Sequence, residues 1–216
     1  MILLFTCRKY QQRWDKLRSS WLEPCGIPYV FTIGDPSMPE GEYRYDEATH
    51  ILYLGCPDNY DGLCHKTKFA IRALMRLFSP KFIIKTDDDV SVNVEKLHEY
   101  LQRPELHADS YEGFTWVIEG ASSHGIQKYE NPDYKTPTEA PAIRYCCGPM
   151  YYLGANAAKI VGENMDPHRI KFEDLNVGLT LESFGITAKH TNLYHDDRAM
   201  FDAGETVGWH NLKMNG

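Results

Sequence analysis

The sequence has no long hydrophobic run, no internal repeat and no cysteine pair at metal-binding spacing. Its apolar start, MILLFTC, is far too short to cross a bilayer and has no cleavage region after it, so we expect no membrane anchor and a cytoplasmic location. The six cysteines include no C-x-x-C pair, which argues against a zinc-finger site. We therefore expect six free thiols, including the adjacent Cys146 and Cys147.

Positive charge is also in short supply. The chain has 23 Lys and Arg residues against 30 Asp and Glu residues, and its net charge is -7. This balance argues against a broad binding surface for nucleic acid or for an anionic membrane. An anionic ligand would still be compatible with the sequence if a bound metal ion supplied positive charge at one place.

Apolar segments alternate with helical patterns along the 216 residues. Short apolar runs at residues 2–6, 29–33, 51–54 and 82–84 predict buried strands. Helical spacing around residues 14–21, 69–78, 94–101, 155–161 and 177–184 predicts helices between and after them. This order predicts an α/β fold with a central, mostly parallel mixed sheet flanked by helices. A long loop is expected at about residues 122–141.

Three consecutive aspartates follow the strand in KFIIKTDDDVSVNV, at Asp87, Asp88 and Asp89. A solvated acidic turn is the common interpretation of such a run, but ligands in α/β sheets bind at this end of the strands. A calcium loop fails in detail, because Val92 stands where glycine is needed and His98 where glutamate is needed. A D-x-D site remains, in which alternate carboxylates hold Mg²⁺ or Mn²⁺ against the two phosphates of a nucleotide sugar.

Further segments stand in a fixed order around this motif: FTCRKYQQRWDKLRSSW, YDGLCHKTKFAI, RYCCGPMYYLG, FEDLNVGLTLESFGI and GITAKHTNLYHDD. Together with KFIIKTDDDVSVNVEKL they resemble the Fringe and β-1,3-galactosyltransferase family over nearly the whole chain. The resemblance implies one GT-A (Rossmann-like) domain over residues 1–216. Residues 1–89 would form its nucleotide-binding half and residues 90–216 its acceptor-binding half.

The resemblance also implies a reaction. A hexose or deoxyhexose would be transferred from a UDP-sugar to a glycan or glycoprotein acceptor, with inversion and with Mn²⁺ or Mg²⁺ as cofactor. The metal ligands would be Asp89, Asp87 and His195, with His190 as the alternative histidine. Asp174 would be the general base that takes the proton of the acceptor hydroxyl. Its simpler role would be to cap the helix that follows it.

Two further groups of residues are carried over from the family. The nucleotide-binding candidates are Thr6, Arg8, Arg13, Asp35, Lys66, Lys85, Asp87 and Asp88. The candidates for contact with the donor sugar or the acceptor are Asp88, Gly148, Pro149, Glu173 and Trp116. Ordinary roles compete with several of these: surface charges for the two arginines and Lys66, a turn for Asp35, and core packing for Trp116.

The sequence departs from the family in ways that leave the donor sugar, the acceptor and the compartment open, but not the reaction type. Family members are mostly anchored Golgi proteins with disulfides, and Gly148-Pro149 replaces their glycine run. A compact chain of this kind fits a microbial or large-virus enzyme, or one domain of a longer polypeptide. The rival functions are a nucleotidyltransferase or diphosphosugar hydrolase that uses the same carboxylates, and a carbohydrate-binding module with a structural metal.

Overall fold

The structure is a computed structural model that describes residues 1–118 and 142–210. Strands and helices alternate in it, and the predicted mixed α/β sheet is confirmed. The loop expected at about residues 122–141 lies outside the described residues, and the next strand begins at Ile143. Among the described helices, none is long and apolar enough to cross a membrane.

Eight strands form the main sheet. In chain order they are β1 (Ile2–Phe5), β2 (Tyr29–Gly34), β3 (Tyr43–Asp46), β4 (Ile51–Leu54), β5 (Phe82–Asp87), β7 (Tyr111–Ile118), β8 (Ile143–Gly154) and β9 (Lys189–His190). A smaller sheet contains β6 (Val90–Val92), β10 (Tyr194–His195) and β11 (Gly208–His210).

The main sheet has the order β3-β4-β2-β1-β5-β8-β7-β9. Neighbouring strands are parallel from β4 through β2 and β1 to β5, and again between β7 and β9. The pairs β3–β4, β5–β8 and β8–β7 are antiparallel. The carboxyl ends of β1, β2 and β5 therefore lie along one edge, where ligands bind in sheets of this type.

The helices cover both faces of this sheet. They are α1 (Trp14–Leu17), α2 (Leu63–Leu77), α3 (Val94–Leu101), α4 (Ala155–Asn164), α5 (Glu173–Glu182) and α6 (Arg198–Asp202). Alternate residues of β1 separate the two cores. Leu3 and Phe5 pack in the cluster that contains α2, α4 and α5, while Ile2 and Leu4 pack in the cluster that contains α1 and α3. Burial on both faces explains why β1 is an uninterrupted apolar run.

Several sequence predictions about the helices and cysteines can be compared directly with the structure. Asn93 caps α3, because its side chain accepts a hydrogen bond from the Lys96 amide. All six cysteines are free, as predicted. The prediction that Phe184 belongs to the last apolar helix face was wrong. Helix α5 ends at Glu182, and Phe184 is exposed just before Gly185, whose φ of 77° turns the chain away.

The first predicted helix is also not regular. A 3₁₀ helix at Arg8–Arg13, the short α1 and a π-helical turn at Arg18–Leu22 follow one another. The helical spacing of Trp14, Leu17 and Trp21 still buries all three side chains. The apolar pattern therefore predicted which face is buried but not the changes in helix type.

Candidate active site

A cleft of about 310 Å³ opens at the carboxyl ends of β1 and β5. Ten of the residues predicted for the site line it: Thr6, Lys66, Lys85, Asp87, Asp88, Asp89, Gly148, Pro149, Glu173 and Asp174. Asp58, Tyr60, Lys171 and His210, which were not predicted, line it as well. Residues that are distant in the sequence therefore meet at the edge that the fold makes available for a ligand.

Asp88 is directed into the protein. One carboxylate oxygen accepts a hydrogen bond of 2.5 Å from the Thr6 hydroxyl, and the other lies 2.8 Å from the Arg13 guanidinium. The Trp14 indole donates to the same Thr6 oxygen at 2.9 Å. Burial raises the pKa of Asp88, although Thr6 and Arg13 oppose this shift. Asp88 thus connects the end of β5 to the end of β1, through Thr6, and to the helical segment that follows β1, through Arg13.

Asp87 is paired with Lys85, two residues earlier in the same strand. The Lys85 ammonium donates to Asp87 and to the Gly148 carbonyl, both at 2.5 Å. Burial raises the pKa of Asp87 to about 7, and the charge of Asp89 adds to the rise while Lys85 opposes it. A carboxylate with such a pKa is stabilised in its charged form by any nearby cation.

Asp89 lies beside His210, at the end of the small sheet. The Nε2 atom of His210 is 3.5 Å from Asp89, and its Nδ1 atom is 2.9 Å from Asp196. Burial alone would lower the pKa of His210, but the two carboxylates raise it above its ordinary value. A carboxylate on the far nitrogen is the arrangement that orients metal-binding histidines in many proteins.

His195, the predicted metal ligand, does not line the cleft. Its Nδ1 atom accepts a hydrogen bond from the Asp197 amide at 2.9 Å, and its ring packs against Phe114. His190, the alternative, accepts from the Thr115 amide instead. The structure therefore places His210, and not His195, beside Asp89, because β11 pairs antiparallel with β6 and brings His210 opposite Val90.

Asp58 and Lys66 form a buried ion pair at the other end of the cleft. The Lys66 ammonium lies 2.8 Å from Asp58 and donates to the Thr6 carbonyl at 2.7 Å. Asp58 also accepts the backbone N–H groups of Gly34 and Arg8, at 2.8 and 2.9 Å. Lys66 is therefore not a helix-surface lysine. Asp58 was missed because only the fold brings its loop against the ends of β1 and β2.

Glu173 and Asp174 are the first two residues of α5, and their side chains lie in different environments. Glu173 is buried and accepts hydrogen bonds from the hydroxyls of Thr67 and Tyr151, at 2.8 and 2.7 Å. Asp174 lines the cleft and accepts the Gly148 N–H at 3.0 Å. Burial, followed by the charge of Glu173, raises the pKa of Asp174 to about 6. Such a carboxylate is ionised at pH 7 and is a better base than an exposed one.

Four residues that the sequence predicted for the site do not line the cleft. Arg8 is exposed and pairs at 3.3 Å with Asp35, whose side chain also accepts hydrogen bonds from Ser37 in the turn after β2. Trp116 is 48% exposed on β7 and is not part of the cleft lining. Arg13 is also absent from the lining and reaches the site only through Asp88.

This chain is similar to known proteins over most of its length. The sequence profile of the galactosyltransferase family matches residues 11–192. The chain belongs to this family. It is 26% identical to probable beta-1,3-galactosyltransferase 4 of Arabidopsis thaliana, over 91% of this chain and 50% of that protein. It is 25% identical to beta-1,3-galactosyltransferase 1 of Mus musculus, over 86% of this chain and 60% of that protein.

The chain thus spans about half of the length of the curated relatives it matches. Solved structures show the same fold at low identity. A glycosyltransferase involved in the glycosylation of the major capsid of PBCV-1 matches 98% of this chain with a TM-score of 0.50, at 11% identity and over 92% of its own chain. Galactosyltransferase LgtC, solved with donor and acceptor sugar analogs, matches 98% of this chain with a TM-score of 0.50, at 12% identity and over 86% of its own chain. The fold is GT-A.

The Asp58–Lys66 pair gives a test of what holds the cleft together. Asp58→Asn leaves the Lys66 ammonium, 3% exposed, without its carboxylate. We expect a loss of about 3 kcal/mol in the free energy of unfolding, the low end for breaking a buried pair, because the amide keeps one acceptor oxygen. Urea denaturation measures this. The control Asp15→Asn changes a carboxylate that is 97% exposed and pairs with Arg18. Equal stability of the two variants would contradict the structural role of Asp58.

Proposed function

We propose that this protein is a metal-dependent glycosyltransferase that uses a UDP-sugar. It would transfer a hexose or deoxyhexose to a glycan or glycoprotein acceptor with inversion at the sugar carbon. Residues 1–89 would supply the nucleotide half and residues 90–216 the acceptor half. The observation that carries the proposal is that Asp87, Asp89 and His210 share one cleft with Asp174, a partly buried carboxylate of raised pKa.

The donor set suits a divalent cation. Carboxylate oxygens from Asp87 and Asp89 and the imidazole Nε2 of His210 are ligands that Mn²⁺ accepts, and Mg²⁺ takes the two carboxylates. The bound ion would neutralise the charge that develops on the diphosphate as the sugar bond breaks. Three like charges at one bend are otherwise costly to bury, and the raised pKa of Asp87 reflects that cost.

The protein's own side chains would do the remaining work. Lys85 holds Asp87 and the Gly148 carbonyl in place, and the Gly148 N–H in turn orients Asp174. Asp174 would accept the proton of the acceptor hydroxyl as that oxygen attacks the sugar carbon. Asp88, with both oxygens engaged by Thr6 and Arg13, would shape the donor side of the cleft and not contact the sugar directly.

The rival functions fit less well. A nucleotidyltransferase must neutralise a triphosphate, yet both Lys66 and Lys85 are already paired with carboxylates. A carbohydrate-binding module with a structural metal gives no reason to bury Asp174 beside that metal. A diphosphosugar hydrolase shares the carboxylates and differs from the proposal only in using water as the acceptor.

A screen of UDP-sugars with Mn²⁺, in which free UDP is measured, tests the function. We expect slow release of UDP from UDP-glucose, UDP-galactose or UDP-rhamnose, and faster release when a sugar acceptor is present. Added UDP should compete with the UDP-sugar, whereas GDP and CMP should not. Sugar transfer to the acceptor separates a transferase from a hydrolase. Glycan binding without any affinity for UDP would contradict the proposal and favour the binding module.

The base role of Asp174 is tested by Asp174→Asn. The amide cannot take a proton, so kcat should fall roughly 10²- to 10⁴-fold while the affinity for UDP and Mn²⁺ stays nearly unchanged. In the wild-type enzyme the same role predicts that kcat falls as pH drops through about 6. Steady-state kinetics measure both. Glu182→Gln, an exposed change on the same helix, is the control, and normal turnover of the Asp174 variant would exclude the role.

The metal role of His210 is tested against the histidine that the sequence favours. His210→Ala should weaken Mn²⁺ binding in the presence of UDP by at least about 10-fold, because even partners outside the ligand shell cost that much. Far-UV circular dichroism checks that the variant folds. The matched control is His195→Ala. Electron paramagnetic resonance of free Mn²⁺ gives the affinities, and a loss in the His195 variant alone would reverse the assignment.

A further inference from the structure

Three side chains outside the cleft come together from separate parts of the chain. Glu40 lies in the turn between β2 and β3, His65 in the first turn of α2, and His168 between α4 and α5. The His65 Nε2 atom is 3.7 Å from a Glu40 carboxylate oxygen, and the rings of His65 and His168 are 4.8 Å apart. One possible ligand atom from each residue lies within 4.8 Å of the others.

We propose that Glu40, His65 and His168 form a second metal site, for Zn²⁺, with water in the fourth position. Two imidazoles and one carboxylate are a common zinc donor set. The site is separate from the cleft, since none of the three residues lines it, and it does not depend on the proposed function. Its ligands differ from those of the cleft in having a nitrogen majority, which favours Zn²⁺ over Mg²⁺.

Zinc binding would require only small movements of the three side chains. Zinc bonds of 2.0–2.2 Å in a tetrahedron place the ligand atoms roughly 3.4 Å apart. Glu40 must therefore approach His65 by a few tenths of an ångström, and the widest separation must shrink by about 1.4 Å. Glu40 and His168 are exposed, so rotation of their side chains can supply these shifts without moving the core.

His65 is the fixed member of the site. Its side chain is 15% exposed, and its ring packs edge-on against Phe69 as well as His168. Its Nδ1 atom is buried without a hydrogen-bond partner among the described residues, and 3.7 Å is too long for a hydrogen bond from Nε2 to Glu40. A buried ring nitrogen without a hydrogen-bond partner is unfavourable. A metal bond at Nε2 would give that nitrogen the partner that Glu40, at 3.7 Å, does not provide.

A metal here would join three segments, two of which lead to the wall of the cleft. His65 precedes Lys66 in α2, and the chain from His168 leads within a few residues to Lys171 and Phe172 in the cleft wall. Existing contacts already hold the same segments: Arg72 donates to the Gly41 carbonyl, and Asn176 donates to the Asp166 carbonyl. The bound ion would therefore stabilise the native fold, since a ligand that binds only the folded state does so by mass action.

Zinc titration of tag-free protein, dialysed against EDTA and competed with a chromophoric chelator, tests the site. His210→Ala is used as the starting protein so that the cleft does not compete for the ion. We expect one Zn²⁺ per chain in it, and affinity at least about 100-fold weaker when His168→Ala is added, because loss of a ligand costs more than loss of a second-shell partner. The control His107→Ala removes an exposed histidine elsewhere and should change nothing.

Glu40→Gln and thermal unfolding provide an independent measurement. Excess Zn²⁺ should raise the Tm of the His210→Ala protein and of its His107 control. The rise should be smaller after Glu40→Gln and absent after His168→Ala. Both added changes are at exposed residues, and circular dichroism confirms folding. Equal zinc affinity in the His168 and His107 variants, or an equal Tm shift in them, would overturn the proposal.

Discussion

The crowding of three neighbouring carboxylates at the end of β5, two of them buried, is the constraint on which the rest of the site depends. Each carboxylate forms a hydrogen bond or an ion pair with a different part of the chain: Asp88 with Thr6 and Arg13, Asp87 with Lys85, and Asp89 with His210. Both oxygens of Asp88 are engaged in this way. Lys85 approaches Asp87 and His210 approaches Asp89, and carboxylate oxygens are ligands that suit a divalent cation.

The same arrangement links Asp87 to Asp174. The Lys85 ammonium bridges Asp87 and the Gly148 carbonyl, and the Gly148 N–H donates to Asp174. Glu173, next to Asp174, is tied through Thr67 to the helix that carries Lys66. Gly148 is therefore hydrogen-bonded to both Lys85 and Asp174, while burial, followed by the charge of Glu173, raises the pKa of Asp174.

Local patterns in the sequence predicted the central strands, because β1 and β5 are buried on both faces and read as apolar runs. They also predicted the position of the aspartates at a strand end. The choice of histidine depended on the register of two three-residue strands, β6 and β11, and strands so short leave no periodic signal. Asp58 and the cluster of Glu40, His65 and His168 join separate loops, and no spacing along the chain reveals such contacts. Arg8, Asp35 and Trp116 had suitable chemistry, but the fold directs them away from the cleft.

In the proposed function, the aspartates at the end of β5 bind a nucleotide diphosphate only through a divalent cation. Isothermal titration of the wild-type protein with UDP, in excess Mn²⁺ and again in EDTA, measures this dependence. We expect binding of one UDP per chain with Mn²⁺ and no measurable heat without it, because bare carboxylates repel the phosphates. Equal affinity for UDP in EDTA would show that the aspartates do not act through a metal ion.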